Sequence, residues 1–526
     1  MDSKEILRFC LEKGLLLDNE VLSLFSETPD SESVKLIIEK IKDTTNQKII
    51  TKRLFTQNKE MVFHILSELP QENQTQLENL KIKLGLSIEI SKEISNKKEI
   101  KREEKGISSV RVLSSVPLNS SKKIEVGDFV NYFRNRFSEM RTILQGNPSL
   151  KNLTSINKIS NSRSGFSIIG IVSEKTITKN KNMLLEVEDL TGKMRVLINQ
   201  NNEKLYNLAE DICLDSVLGF SGFGNKEILF ASDVVFPESS LPERKNSNEE
   251  EYALFCGDLH YGSKLFLEKN FLKFIDYLDG KVPNTPEVSK IKYLFLVGDI
   301  VAGVGNYPNQ EKDLKIPDIE EQFLGISSFL EKIPKHIKII ISPGNHDGVR
   351  LMEPQPPIKE NYAWKLYDME NVILTGNPCY LNIGANSDFS GFDVLTYHGF
   401  SFPYYANKIP KLIVGDTLNS PDKIMTYLLR NRHLAPAHSS VQYFPFEEDP
   451  LLIRKIPDIF IAGHTHKGGL VYYNNILVVS VSSWEDKTPY QEKMGNDPDF
   501  CKVPMFNLKT RAIKILDFEE KENGDS

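Results

Sequence analysis

The chain contains no apolar run approaching the ~18 residues that a membrane span needs, so no segment reads as transmembrane. Its opening stretch, MDSKEILRFC, is charged and amphipathic, with neither an apolar signal core nor a cleavage-site pattern. The expectation is an intracellular, cytoplasmic protein with no membrane partner. Cysteine is sparse: Cys10, Cys213, Cys256, Cys379 and Cys501 are scattered, and no two stand at a zinc-ligand or redox spacing. They predict reduced structural thiols. A basic excess is also missing. The net charge is −7, whereas a protein that grips nucleic acid alone usually carries surplus positive charge. Work on DNA or RNA would then draw on a partner or on a local patch.

What is present is ordinary for globular protein, with 40% hydrophobic and 26% charged residues. A length of 526 residues exceeds one core and implies two or three domains. Residues 1–70 read as a small helical bundle. Ile6, Leu7, Cys10 and Leu11 share one face of a first helix that Gly14 can end, and His64 falls in a fourth helix as a structural residue. Residues 71–124 read as a flexible linker. Between Lys97 and Lys105 five basic residues alternate with three acidic ones, the pattern of a solvated spacer. Residues 125–240 read as a helical lead-in, three strands, a short helix and two strands, the element order of an OB-fold. Asp189-Leu190-Thr191-Gly192 forms the turn between the second and third strands. The first three strands hold one aromatic, Phe166, so a structural or partner-docking barrel is as well supported as one that stacks bases. Residues 250–518 alternate strands and helices, an α/β pattern.

Chemistry concentrates in this last region. YALFCGDLH ends in Asp258-x-His260, KYLFLVGDIVAG in Asp299, and IKIIISPGNHDG in Asn345-His346-Asp347. FDVLTYHGF delivers His398, and PDIFIAGHTHKGG delivers His464 and His466. Each group follows an apolar strand, where α/β sheets place their sites. Five of the chain's nine histidines fall in these motifs, too many in too regular an order for packing alone. His336, His433 and His438 lie outside them and read as structural. The donor types suit two divalent cations: imidazoles favour Mn, Fe, Zn or Ni, and carboxylates supply charge. Two such ions ~3.5–4 Å apart need a bridging anion, and Asp299 is the candidate. A histidine that is not a ligand can protonate a leaving oxygen, and His346 is placed for it. The expectation is a two-metal phosphoesterase.

These motifs resemble the calcineurin-like metallophosphoesterase superfamily. The resemblance implies a phosphoesterase β-sandwich flanked by helices, in which Asp258, His260, Asp299 and His466 hold one metal. Asp299, Asn345, His398 and His464 would hold the other, His346 would be the general acid, and Asp347 would orient it. Surrounding segments are more specific: GVGNYPNQEKDL (303–314), GNHDGVRLMEPQPP (344–357), RHLAPAHSS (432–440) and SSWEDKTPYQEKMGNDPDFCKVPMFNL (482–508). Over roughly 125–518 they are similar to the small-subunit family of archaeal family-D DNA polymerases, with one local departure at AHSS after Leu434-Ala435-Pro436. That resemblance implies a 3′–5′ proofreading exonuclease using two divalent ions. Mn is the first choice, with Fe, Zn, Ni or Mg as alternatives. It also implies a large catalytic polymerase subunit as partner in a heterodimer, single-stranded or primer–template DNA as substrate, and a sliding clamp as a further partner. Two other readings stand beside it. A catalytically silent scaffold bridging large subunit and clamp fits the acidic charge and the aromatic-poor barrel. A different phosphoesterase fits the ligands but not the surrounding segments.

Overall fold

The computed structural model describes residues 3–18, 21–22, 34–35, 38, 49–50, 110–115, 123–415 and 417–519. The chain divides into two units, Met1–Ile107 and Ser108–Ser526. In the first, α1 (Ser3–Glu12) buries Ile6 and Cys10, while Leu7 and Leu11 of the expected apolar face are exposed. Two short strands, β1 (Leu16–Leu17) and β2 (Ile49–Ile50), pair in parallel. The expected fourth helix with His64 lies outside the described residues, as does most of the expected linker. One part of that linker is ordered into structure: β3 (Val110–Ser114) pairs antiparallel with a strand of the second unit. Residues 110–114 are therefore a sheet edge, not spacer.

The second unit begins with α2 (Val126–Gln145), whose Tyr132, Arg136, Phe137, Met140 and Leu144 fall on one buried face. A barrel follows, built from β4 (Ser164–Ile177), β5 (Met183–Asp189), β6 (Gly192–Ile198), α3 (Glu203–Glu210), β7 (Val217–Gly224) and β8 (Ile228–Val235). It closes in the order β4-β5-β6-β8-β7, with β6 and β8 parallel. The β5–β6 turn forms because Asp189 Oδ1 accepts the Thr191 and Gly192 amides at 2.7 and 3.0 Å. Phe166 is buried in the barrel core, so it offers no stacking face.

Two six-stranded sheets complete the unit. The first runs β12-β11-β10-β9-β18-β19 and the second β16-β17-β15-β14-β13-β3. The elements are β9 (Tyr252–Cys256), α4 (Glu268–Leu278), β10 (Ile291–Val297), α5 (Ile319–Leu330), β11 (Lys338–Ser342), α6 (Glu360–Tyr367), β12 (Val372–Leu374), β13 (Cys379–Ile383), β14 (Phe392–Tyr397), α7 (Phe402–Lys408), α8 (Pro421–Asn431), β15 (Ile459–Ala462), β16 (Gly469–Tyr473), β17 (Ile476–Ser480), α9 (Pro489–Met494), β18 (Lys502–Asn507) and β19 (Ile513–Asp517). Strand β10 shows why its sequence is continuously apolar. Tyr293, Phe295 and Val297 fill the layer between the sheets, while Ile291, Leu294 and Leu296 meet α4, α5 and α6 on the outer face. Strands buried on both faces lose the apolar–polar alternation. The second sheet packs its outer face on α2, α7 and α8. The result is a two-sheet α/β sandwich flanked by helices.

A buried polar cluster ties α2 to this sandwich. Asp449 accepts from Tyr132 Oη and Arg136 Nε, both at 2.6 Å, and from His433 Nε2 at 2.8 Å. The other ring nitrogen of His433, Nδ1, accepts the Ala435 amide at 2.9 Å. A second proton on that ring has no place to go. Burial first, and the Arg136 charge second, hold His433 down at about 4. A folded value below the unfolded one of about 6.5 means that the unfolded chain binds the extra proton as pH falls. The resulting stability is full above pH ~6.5 and is lost toward pH ~4, an order of ~3 kcal/mol. Thermal midpoints measured from pH 7 to 4 should fall more steeply for the wild type than for His433→Gln. Parallel curves would show that His433 is not the group responsible.

Candidate metal centre

Five strand ends meet at one edge of the sandwich. Parallel pairing aligns Val297 of β10 with Ser342 of β11 and Tyr397 of β14 with Ala462 of β15. The residues that follow therefore emerge side by side: Asp258 and His260 after β9, Asp299 after β10, Asn345 to Asp347 after β11, His398 after β14, and His464 and His466 after β15. The structure brings every sequence-predicted site residue to this edge. Asp258, His260, Asp299, Asp347, His398 and His466 are buried, while Asn345, His346 and His464 are half-buried at the mouth.

The local backbone is strained to achieve this. Asp258, His260, Asp299, His464 and His466 have φ of 48°, 51°, 50°, 72° and 56°. Such left-handed conformations cost a non-glycine residue roughly 1–3 kcal/mol each and cluster at functional sites. Close approach explains two of the neighbouring glycines. A Cβ on Gly298 would lie 2.1 Å from His398 Nδ1, and one on Gly344 would lie 2.2 Å from Asp299 Oδ1.

Lone pairs converge. His398 Nδ1 donates to the Val297 carbonyl at 3.3 Å, which turns Nε2 inward. Around that Nε2 stand Asn345 Oδ1 at 3.1 Å, His464 Nδ1 at 3.2 Å and Asp299 Oδ2 at 3.2 Å. One proton cannot satisfy three acceptors. A second group joins His260 and His466, whose Nε2 atoms face each other at 3.0 Å. Asp258, His260 and His466 offer ligand atoms all within 4.8 Å of one another, as do Asp299, His398 and His464. Adjacent donors around one ion at ~2.1 Å stand ~3 Å apart, so the donor set fits divalent cations. Asp299 faces both groups, with Oδ2 3.8 Å from His260 Nε2. Its Oδ1 accepts the His346 amide at 2.8 Å.

The electrostatics follow from crowding. Burial alone would raise Asp299, but the adjacent His398 imidazole outweighs it and holds the carboxyl well below the usual range. Burial would lower His398, yet Asp299 and Asp258 push it up to about 10. Burial drives His260 and His466 down to about 3, leaving their lone pairs available.

Asp347 departs from expectation. Its carboxylate accepts the Val301 amide at 3.0 Å and the Gly344 amide at 2.8 Å, which buckles the loop. It does not hold the His346 ring. His346 Nδ1 donates to the Ala302 carbonyl at 2.7 Å, and Asn306 Nδ2 donates to the same carbonyl at 3.1 Å, so Ala302, with Asn306 behind it, orients the ring and leaves Nε2 for a proton in transit. Asn306 lies in the NYPNQE segment, a signature on sequence without an assigned role. Gln491 was also missed. Its Oε1 accepts the Thr488 amide at 2.9 Å, and its Nε2 lies 2.9 Å from His466 Nδ1. The EPQP segment acquires a purpose as well. His398 N donates to Asn377 Oδ1 at 2.8 Å, and Asn377 Nδ2 donates to Gln355 Oε1 at 2.8 Å, bracing the site from behind.

Residues 253–468 match the protein family of the B subunits of DNA polymerases alpha and epsilon. The DNA polymerase II small subunit of Archaeoglobus fulgidus is 34% identical over 415 residues, covering 78% of this chain and 81% of the relative. The chain belongs to the archaeal DNA polymerase II small subunit family. The small subunit of Methanothermobacter thermautotrophicus is 33% identical, over 77% of this chain and 82% of its own length. That of Pyrococcus furiosus is 36% identical over 75% of this chain, but the match spans only 64% of that longer relative. The resemblance to small subunits of archaeal DNA polymerases, read from the four extended segments, therefore holds. Among the described residues, no helix is long and apolar enough to cross a membrane.

Proposed function

We propose that this chain is the 3′–5′ exonuclease subunit of an archaeal replicative DNA polymerase, cutting the terminal phosphodiester of a DNA 3′ end. The observation that carries the reading is the convergence of three acceptor atoms within 3.2 Å of His398 Nε2, an arrangement with no use in a packed core but a direct one around a cation. Asp258, His260, Asp299 and His466 would hold one divalent ion, and Asp299, Asn345, His398 and His464 the other. Bound there, such ions activate water and neutralise phosphate oxygens. The residues of the chain do the rest. Asp299 spans the two groups, the Ala302 carbonyl and Asn306 fix the His346 ring, and His346 delivers a proton to the departing 3′ oxygen. A large catalytic subunit is the partner that a small subunit implies, in the cytoplasm and beside the sliding clamp.

The scaffold reading keeps one observation on its side: the only aromatic of the first three barrel strands, Phe166, is buried. Metal analysis separates the two readings. With Mn, a 5′-labelled single strand should shorten from its 3′ end. His346→Ala should slow this by roughly 10²-fold or more with metal content unchanged. No shortening, alone or with the large subunit, and no bound metal would favour the scaffold.

A further inference from the structure

Beside the metal centre lies a cavity of about 580 Å³ that the hydrolytic chemistry does not use. Its walls include Phe129, Met352, Phe400, His438, Gln442 and Tyr443. Phe400 links it to the site. The residue stands two positions after His398, and its ring centroid lies 5.4 Å from that of His464 at an interplanar angle of 59°. The ring is only half-buried.

We propose that this cavity is a nucleobase subsite, with Phe400 as its stacking platform. The proposal rests on the nuclease reading and adds what that reading lacks, a place for the base. A strand whose phosphodiester is held at His464 would carry its base one sugar away, within reach of the Phe400 ring beside that histidine. The lining chemistry fits a planar heterocycle and not a phosphate. No lining residue is Asp, Glu, Lys or Arg. Aromatic faces and the Met352 thioether are interleaved with an amide, hydroxyls and an imidazole. Every base has a π-face, so such a platform accepts all four, as an exonuclease with no sequence preference requires.

The opposite wall is fixed in advance. His438 Nδ1 lies 2.7 Å from Tyr443 Oη. Tyr443 stacks on Tyr132 at 4.9 Å and 15°, and Phe129 meets Tyr443 edge-on at 5.8 Å. Phe129 and Tyr132 both belong to α2, which the Arg136–Asp449 pair anchors. The helix before the barrel thus completes a subsite of the sandwich. Pre-ordered walls lower the entropy lost on binding.

The probe is a single strand with 2-aminopurine at its 3′ end, a phosphorothioate last linkage and a 5′ dye, titrated with the full chain. Wild-type protein should quench the 2-aminopurine as the dye's anisotropy rises. Phe400→Ala should bind about tenfold more weakly and leave the bound base unquenched. Phe400→Trp should restore quenching, and Met352→Ala should weaken it by a smaller factor, so the outcome does not hang on one variant's folding. Anisotropy without quenching in the wild type, or equal quenching in Phe400→Ala, would overturn the subsite. No binding at all would do the same. The two proposals fail separately. Cleavage of an unmodified strand without quenching leaves the nuclease standing, whereas quenching with no cleavage under any metal leaves the subsite and removes the nuclease.

Discussion

Asp299→Asn is expected to remove both candidate cations at once and to lower phosphodiester cleavage by ~10⁴-fold or more, about 5.5 kcal/mol at the barrier. Asp299 Oδ2 lies 3.2 Å from His398 Nε2 and 3.8 Å from His260 Nε2, so it faces both ligand groups. Asparagine has the same shape, and it tolerates the left-handed φ of 50° found here. Its oxygen can keep the His346 amide, which leaves an NH₂ pointing at the histidines. That group carries no charge and no lone pair for a metal. The fold should survive, because the change removes a buried charge and not a packed volume. Elemental analysis of the dialysed variant, set beside single-strand cleavage with Mn, provides the check. The contrast with His346→Ala is diagnostic: that variant should keep its metal and lose only rate. Two metal equivalents retained by Asp299→Asn would mean that the bridge lies elsewhere.

The candidate ligand set was legible because each donor sits one to four residues beyond a short apolar run, and strands buried on both faces announce themselves by composition. Asp258, Asp299 and His398 needed no tertiary information. Asp347 shows where this stops. The family resemblance implies that it would orient His346, but the loop turns its carboxylate to the Val301 and Gly344 amides, and only three-dimensional position reveals that. Asn306 comes from a loop without period or pattern, and Gln491 from the first turn of α9, a helix of six residues too short to show an apolar face. Val110–Ser114 reads as spacer on sequence because so short a stretch beside a polar one carries too little pattern. Its identity comes from pairing with Cys379–Ile383, far along the chain. His433 and His438 looked alike in sequence. The first is buried with both nitrogens satisfied, whereas the second is exposed on the wall of the cavity beside the metal centre.

Asp449→Ala should be the most destabilising single change away from the metal centre, at about 3–5 kcal/mol. Burial alone would raise the Asp449 carboxyl, but Arg136 and His433 hold it well below the usual range. Removing it strands the Arg136 guanidinium, which pairs with it at 2.6 Å and is itself buried. It also leaves Tyr132 Oη, His433 Nε2 and the Leu451 amide without their acceptor. The cost is that of an uncompensated buried charge, not of a lost contact, and this gives the test its form. Arg136→Met combined with Asp449→Leu takes both charges out of the interior and should recover most of the loss. Equal destabilisation of the single and double variants in urea would point to packing instead. The same logic sets the acid limb: a depressed carboxyl stabilises above its unfolded value of ~3.9, and this is lost as pH falls through the folded one. Because α2 carries Phe129 and Tyr132, a loosened α2 should also unquench a bound 3′-terminal base. Asp449→Ala would then connect a stability defect in the interior to the mouth of the metal centre through a single helix.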